Sequence, residues 1–274
     1  MPVAQALRQL EIDIPALPDV LVRLSLLMAE DEVNLHAVAQ LIEGDMALAA
    51  AVMKAVNSSL YGLKGRVQSA QQAITFLGTA EVSAITFEIG LRAAFAQAGE
   101  LEPLWKRAAE RGVLMGRLAQ GLGQDAWAAH SAGLFEECGK AVLFRHDAAQ
   151  YRPLLEDASD DTTLCAQEHA AFGVSHDALG AALCESWGLA SHAVVCVRLH
   201  VQAQAQRVVP AGLALPRRGL LGLSLLAHAM MNTPDDLEAV AEAVAPAMEH
   251  PAELLLRNAR RLLERQEEAL QHGR

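Results

Sequence analysis

Apolar residues recur along this chain at steps of three and four, the spacing of one face of an α-helix. Val20, Leu21, Leu24, Leu27 and Met28 make the first such stripe, with Pro18 at a first helical position. Asn34 is placed to cap a second helix carrying Val38, Leu41 and Ile42, and Asp45 a third through Leu48, Val52 and Val56. Ser69 and Gln72 have capping-box spacing, Gly78 ends that helix, and Thr79 opens the next, through Ile85 and Ile89. Further helices are predicted over residues 101–122 after Pro103, and over 125–137 with Gly139 as the interruption. Others are predicted over 162–172, 175–187, 191–200 and 219–231, then one opened by Thr233-Pro234 and one over 251–270. Residues 194–201, rich in valine, are the one stretch that also suits a strand. The expected fold class is all-α, with weak boundaries near Ala98-Gly99 and over the polar residues 202–216.

Composition agrees with that pattern. Of 274 residues, 52% are hydrophobic but only 4% aromatic, so the core is built from Ala, Leu and Val rather than from strand-forming side chains. Lys plus Arg number 22 against 33 Asp plus Glu, a formal net charge of -11. That balance disfavours duplex nucleic acid, whose binders neutralise phosphates, and an anionic membrane surface. Met46 to Met53 is the longest apolar run, too short to span a bilayer. Cys138, Cys165, Cys184 and Cys196 include no C-x-x-C pair, and Met1 to Leu10 do not read as a signal peptide. Reduced, mostly buried thiols and a cytoplasmic location are the expectation.

Several motifs in order are similar to the HDOD family, the bacterial output domain related to HD-type metal phosphohydrolases. They are Ile14-Pro15-Ala16-Leu17-Pro18; Ile42-Glu43-Gly44-Asp45, where Met46 replaces the family's usual Pro; Asn57-Ser58-Ser59-Leu60-Tyr61-Gly62; and Ala73-Ile74 with Leu77-Gly78. Trp105 follows. Then Ala132-Gly133-Leu134-Phe135-Glu136-Glu137-Cys138-Gly139-Lys140 resembles the family's A-G-L-L-H-D-I-G-K, and Glu168, His176, Gly180, Trp187-Gly188-Leu189 and His200 continue the series. The resemblance implies an HD-domain-like helical bundle over 14–200. Within it, 14–96 form an N-terminal helical lobe and 101–200 a degenerate HD-like lobe; 201–274 are a C-terminal helical extension. Asp45, Asn57, Ser58, Tyr61, Gly62, Gly78, Gly133, Gly139, Glu168, His176, Trp187 and His200 are then expected to be structural.

An HD hydrolase converges imidazoles and carboxylates on one or two metals. Here Glu136-Glu137 stand where the resemblance implies His-Asp. Lys106-Arg107 stand where an upstream ligand is implied, and a guanidinium cannot ligate. The glutamates are expected to be solvated or salt-bridged, with Arg107 as the cation that pairs with one of them; no metal or other cofactor is expected. The literal dipeptides His146-Asp147 and His176-Asp177 read as chance matches. His130, Glu168, His176 and His200 are the residues from which a different metal site would have to be built. No P-loop, G-x-S-x-G or H-E-x-x-H motif occurs. Arg257, Arg260, Arg261 and Arg265 share a helix with Leu254, Leu255, Leu262 and Leu263, the pattern of a docked amphipathic helix or of a partner-binding one.

The expected function is therefore a non-enzymatic signal-transduction module acting through contacts with a signalling protein, a second copy of the chain being one candidate partner. A divergent metal-dependent phosphohydrolase is the alternative, and a helical nucleic-acid regulator a third that the charge disfavours.

Overall fold

A computed structural model describes residues 12, 15–30, 32–58, 67–95 and 99–272. Every regular element among them is helical, and the chain divides into two compact units: Met1–Pro15 with Ala98–Arg260, and Ala16–Gln97 with Arg261–Arg274.

The smaller unit is organised by its caps. It holds α1 (Asp19–Met28), α2 (Leu35–Glu43), α3 (Met46–Val56), α4 (Ala70–Leu77) and α5 (Thr79–Ala93). Asn34 accepts from the Ala37 amide at 3.0 Å, and Asp45 from the Ala47 and Leu48 amides at 2.8 and 3.1 Å. Ser69 accepts from the Gln72 amide, and the Gln72 side chain reaches back to the Gln68 amide rather than that of Ser69. Pro18 lies one position earlier than expected: its extended backbone caps α1, which starts at Asp19. Gly78 joins α4 to α5 at φ +86°, a conformation that resists any Cβ. Leu21, Leu24, Val38, Ile42, Val52, Val56, Val82 and Leu91 make the core.

Asn57 shows why an amide follows α3. Its Nδ2 donates to the Met53 and Val67 carbonyls at 3.0 and 2.8 Å, and its Oδ1 accepts from the Val67 amide at 3.2 Å. One side chain thus ends a helix and ties it to a segment ten residues on. Ser58 is half-buried beside it. Ile14, Tyr61 and Gly62 lie outside the described residues.

The larger unit holds α6 (Glu102–Gly121), α7 (Ala126–Phe135), α8 (Cys138–His146), α9 (Ala148–Asp157), α10 (Asp161–Phe172), α11 (His176–Ser186), α12 (Ser191–Gln206), α13 (Leu215–Asn232) and α14 (Leu237–Met248). The last helix, α15 (Ala252–His272), begins in it. Helix α6 packs on α7 and α13, and α12 on α11, α13 and α7. Gly133 of α7 lies against Gly112 of α6, where a Cβ would come within 2.9 Å of backbone.

The structure refines the expected helix boundaries at several points. Gly139 does not interrupt a helix; it is the second residue of α8, and the break falls at Glu136-Glu137. A Cβ on Gly139 would lie 1.9 Å from the His176 carbonyl oxygen, so glycine there sets how closely α8 meets α11. Residues 194–201 are helical, as the helix expected over 191–200 requires; α12 runs unbroken from Ser191 to Gln206, so the polar residues 202–206 are its last turns. Helix α9 was not expected: Pro153 interrupts its pattern, yet Asp147 caps it by accepting from the Gln150 amide at 2.9 Å. Thr233-Pro234 opens a short 3₁₀ turn, Pro234–Asp236, before α14.

Trp187 is buried at the end of α11, its ring edge-on to Phe135 at 5.6 Å. Its Nε1 donates to the Pro15 carbonyl at 2.9 Å, which gives the indole a polar partner as well as a packed ring. Leu255 and Ala259 are fully buried on α15 while Arg257, Arg260 and Arg261 are exposed, the docked amphipathic arrangement. Trp187→Ala is expected to cost about 3–5 kcal/mol, read as a shift of the urea unfolding midpoint. An unchanged midpoint would refute the packing described.

Candidate functional site

The helix break between α7 and α8 places two adjacent glutamates inside the larger unit. Glu136 is wholly buried and Glu137 nearly so. Burying two carboxylates is unfavourable unless cations and donors meet them. Arg111, on α6 beside Gly112, meets both: its guanidinium donates to Glu136 Oε2 at 2.7 Å and to Glu137 Oε1 at 3.3 Å. Lys140, one turn into α8, bridges Glu137 Oε2 at 2.8 Å and Asp161 Oδ1 at 2.7 Å. Gln204 of α12 donates to Glu136 Oε2 at 3.2 Å and to Ser224 Oγ of α13 at 3.1 Å.

Arg111 is therefore, with Lys140, a buried cation of this site. Arg107, expected to pair with one of the glutamates, does reach Glu137, at 3.7 Å, but unlike Arg111 it is half-exposed. The two lie four residues apart on one face of α6, and nothing in the sequence alone ranks one above the other. The glutamates are salt-bridged and not solvated.

The charges show in the acid–base properties. Burial alone would raise the Glu137 pKa, but Lys140 and Arg111 outweigh it and hold the group down at about 2. Asp161 is likewise lowered: burial opposes this, and Lys140 with His176 overrides it. Arg111 and Lys140 are both raised, since their carboxylates outweigh desolvation. His228 is lowered to about 4, first by burial and then by the positive Arg111.

A second polar group adjoins the first. Glu168 of α10, fully buried, accepts from Tyr151 Oη at 2.5 Å, from the His176 amide at 2.7 Å, and pairs with His176 Nδ1 at 2.8 Å. His200 Nδ1 pairs with the Val197 carbonyl at 2.7 Å, and the two imidazole rings stand 5.8 Å apart. Asp161, His176 and His200 each bring a candidate metal-binding atom within 4.8 Å of the others. Cys165, Glu168 and His176 do the same. His130 is buried elsewhere, against Gly112 and Gly116. Asp177 turns to Ser175 and Arg198, so the adjacent His176 and Asp177 do not act as a pair. His146 is exposed and Asp147 is a helix cap. A cleft of about 720 Å³ opens beside the first group, lined among others by Arg107, Glu137, Lys140, Asp161, Gln204 and His228; of the Asp161, His176 and His200 trio, Asp161 lines it.

Residues 14–203 match the HDOD domain. The chain belongs to the HDOD domain family. A curated but uncharacterised protein of Treponema pallidum (strain Nichols) is 27% identical over 192 residues. That match covers 69% of this chain and 37% of that protein, so this HDOD chain spans well under half of the relative's length. Similar solved structures include a provisionally named signal transduction protein of Marinobacter aquaeolei VT8, with TM-score 0.76 and 21% identity over 99% of this chain and 65% of that one. An HDOD domain protein of unknown function from Geobacter sulfurreducens matches with TM-score 0.74 and 17% identity, over 97% and 95%. A provisionally named phosphohydrolase of Shewanella amazonensis SB2B matches with TM-score 0.71 and 19% identity, over 98% of each chain. At these identities the likeness is one of fold, and it agrees with the all-α architecture above. Among the described residues of this HDOD chain, no single helix is long and apolar enough to cross a membrane, and all four cysteines are free.

Two outcomes are expected. Arg111→Ala leaves the buried Glu136 without its cation and is expected to cost about 3–5 kcal/mol. Arg107→Ala removes only a half-exposed partner and should cost under about 1 kcal/mol. Chemical denaturation of both variants checks the contrast; equal losses would contradict the pairing.

Acid should destabilise in two stages. His228 titrates near 6.5 when unfolded and about 4 when folded, so the unfolded chain takes up the proton first and stability falls as pH drops across that window. Glu137 contributes stability that is complete above its ordinary 4.5 and is lost as pH falls toward about 2, by about 3 kcal/mol, with Asp161 acting in the same sense. His228→Leu should remove its part of the upper stage and Glu137→Gln much of the lower, as seen in unfolding midpoints measured from pH 7 to pH 2.

Proposed function

We propose that this chain is a non-catalytic regulatory module of a bacterial, cytoplasmic signalling system that acts by contact with a protein partner. The observation that carries the reading is the Arg111 clamp. At the position where the HD resemblance calls for a metal-binding His-Asp pair, two carboxylates are already neutralised by a buried guanidinium and by Lys140. A cation covalently part of the fold takes the place a dication would take, and its charge repels one. The provisional signal-transduction name of the Marinobacter structure points the same way.

The competing reading is a metal-dependent phosphohydrolase, the provisional name of the Shewanella protein. One observation favours it: Asp161, His176 and His200 converge, and Asp161 lines the cleft. In the phosphohydrolase reading, the clamp would be a structural neighbour of the active site and not its replacement.

The two are separated by assaying cyclic dinucleotides, nucleotides and a generic phosphodiester with manganese, iron, nickel and zinc. The expected result is no turnover above background, with retained binding of a partner isolated from native cytoplasm in Glu137→Gln. Turnover that vanishes on chelation would overturn the non-catalytic reading.

A further inference from the structure

We infer that Asp161, His176 and His200 form a binding site for one divalent first-row transition-metal ion, next to the Arg111 clamp and distinct from the position of the HD dyad. The inference does not depend on the chain being non-catalytic.

Three observations carry it. The first is the way the imidazoles are held. A metal-ligating histidine generally donates its other ring N–H to a carboxylate or a carbonyl, which fixes the tautomer and aims the free lone pair. Both histidines here have that arrangement. His176 Nδ1 is held by Glu168, itself fixed by Tyr151, and His200 Nδ1 by the Val197 carbonyl. In each ring Nε2 is left as the nitrogen available to an ion. His176 Nε2 is buried without a hydrogen-bond partner, which is unfavourable for a ring nitrogen unless something else meets it.

The second is the donor set. Asp161 gives Oδ1 to Lys140 and keeps Oδ2. Two imidazole nitrogens and one carboxylate oxygen suit zinc, iron(II), cobalt, nickel or manganese rather than calcium or magnesium. Their 4.8 Å spread is closed by small side-chain rotations onto an ion with bonds of about 2.0–2.2 Å. The three ligands come from α10, α11 and α12, so the ion would join three helices at one point. Asp161 also lines the cleft, so remaining coordination positions would open toward it.

The third is charge. Arg111 and Lys140 meet Glu136, Glu137 and the part-buried Asp161, while the buried Glu168 meets only Tyr151 and His176. Four carboxylates thus stand against one guanidinium and one ammonium, an excess of acidic groups that favours a further cation. The competing grouping of Cys165, Glu168 and His176 fits less well. It would use the Nδ1 that pairs with Glu168 at 2.8 Å, so an ion there would displace the hydrogen bond that orients the ring.

The test uses the full chain, stripped with a chelator and titrated with cobalt(II) and zinc(II). Expected are one equivalent bound, visible cobalt bands of nitrogen–oxygen ligation without a thiolate charge-transfer band, and a higher melting temperature with zinc. His176→Ala, His200→Ala and Asp161→Asn should each weaken binding at least 10-fold, and Cys165→Ser should leave it unchanged. Circular dichroism verifies folding of each variant. If a histidine variant does not fold, Asp161→Asn, at the cleft edge, carries the comparison. No saturable binding of manganese, iron, cobalt, nickel or zinc would overturn the site, as would binding undiminished in the folded variants or lost in Cys165→Ser. Phosphodiester turnover by the metal-loaded protein would leave the site standing and sink the non-catalytic reading; silence there with metal bound supports both.

Discussion

A carboxylate cannot be taken out of water without a countercharge, and the larger unit of this protein is arranged around that constraint. Glu136 is wholly enclosed because the chain breaks between α7 and α8 at that point. Arg111 reaches it because glycine at 112 lets α6 lie close to α7. From there the polar contacts pass through Lys140 to Asp161 on α10, and through Gln204 to Ser224 on α13. Each link satisfies a group that would otherwise be a buried, unpaired charge or dipole. The cluster therefore specifies how these helices meet, which an apolar core of Ala, Leu and Val does less sharply.

The residues that carry the family resemblance do different kinds of work. Trp187 and Asn57 are anchors, each spending a polar group on the backbone of a segment distant in sequence. Gly133 and Gly139 set helix separations. Glu168, His176 and His200 belong to the second polar group, and two of these three supply the inferred ligands. A signature that looks uniformly structural in the sequence thus separates, in space, into scaffold positions and a chemically capable cluster.

Local chemistry was the readily legible part. Asn34, Asp45, Ser69 and Gly78 marked helix ends because capping acts over three or four residues. Residues 194–201 were ambiguous because valines suit a strand as well as a buried helix, and the tertiary packing of α12 decides between them. Helix α9 was obscured by Pro153 and a polar composition. The site was less legible than the fold. Arg111 and Glu136 are 25 residues apart, and Arg107 offers the same charge on the same helix face. Asp161 carried no sequence signal of its own; it matters because the fold sets it between Lys140 and two histidines.

The contact at Gly139 has one more consequence. Its α-carbon lies so near the His176 carbonyl that no methyl group fits between α8 and α11. Helices that touch backbone to backbone have no compliant side-chain layer to shear through, so sliding one along the other means climbing over a peptide group. The pair therefore behaves mechanically as a single beam, with the Glu137–Lys140 end and the His176 end fixed at constant separation. Any rearrangement within this unit has to pivot about that beam, and the compliance must reside in the helices packed around it.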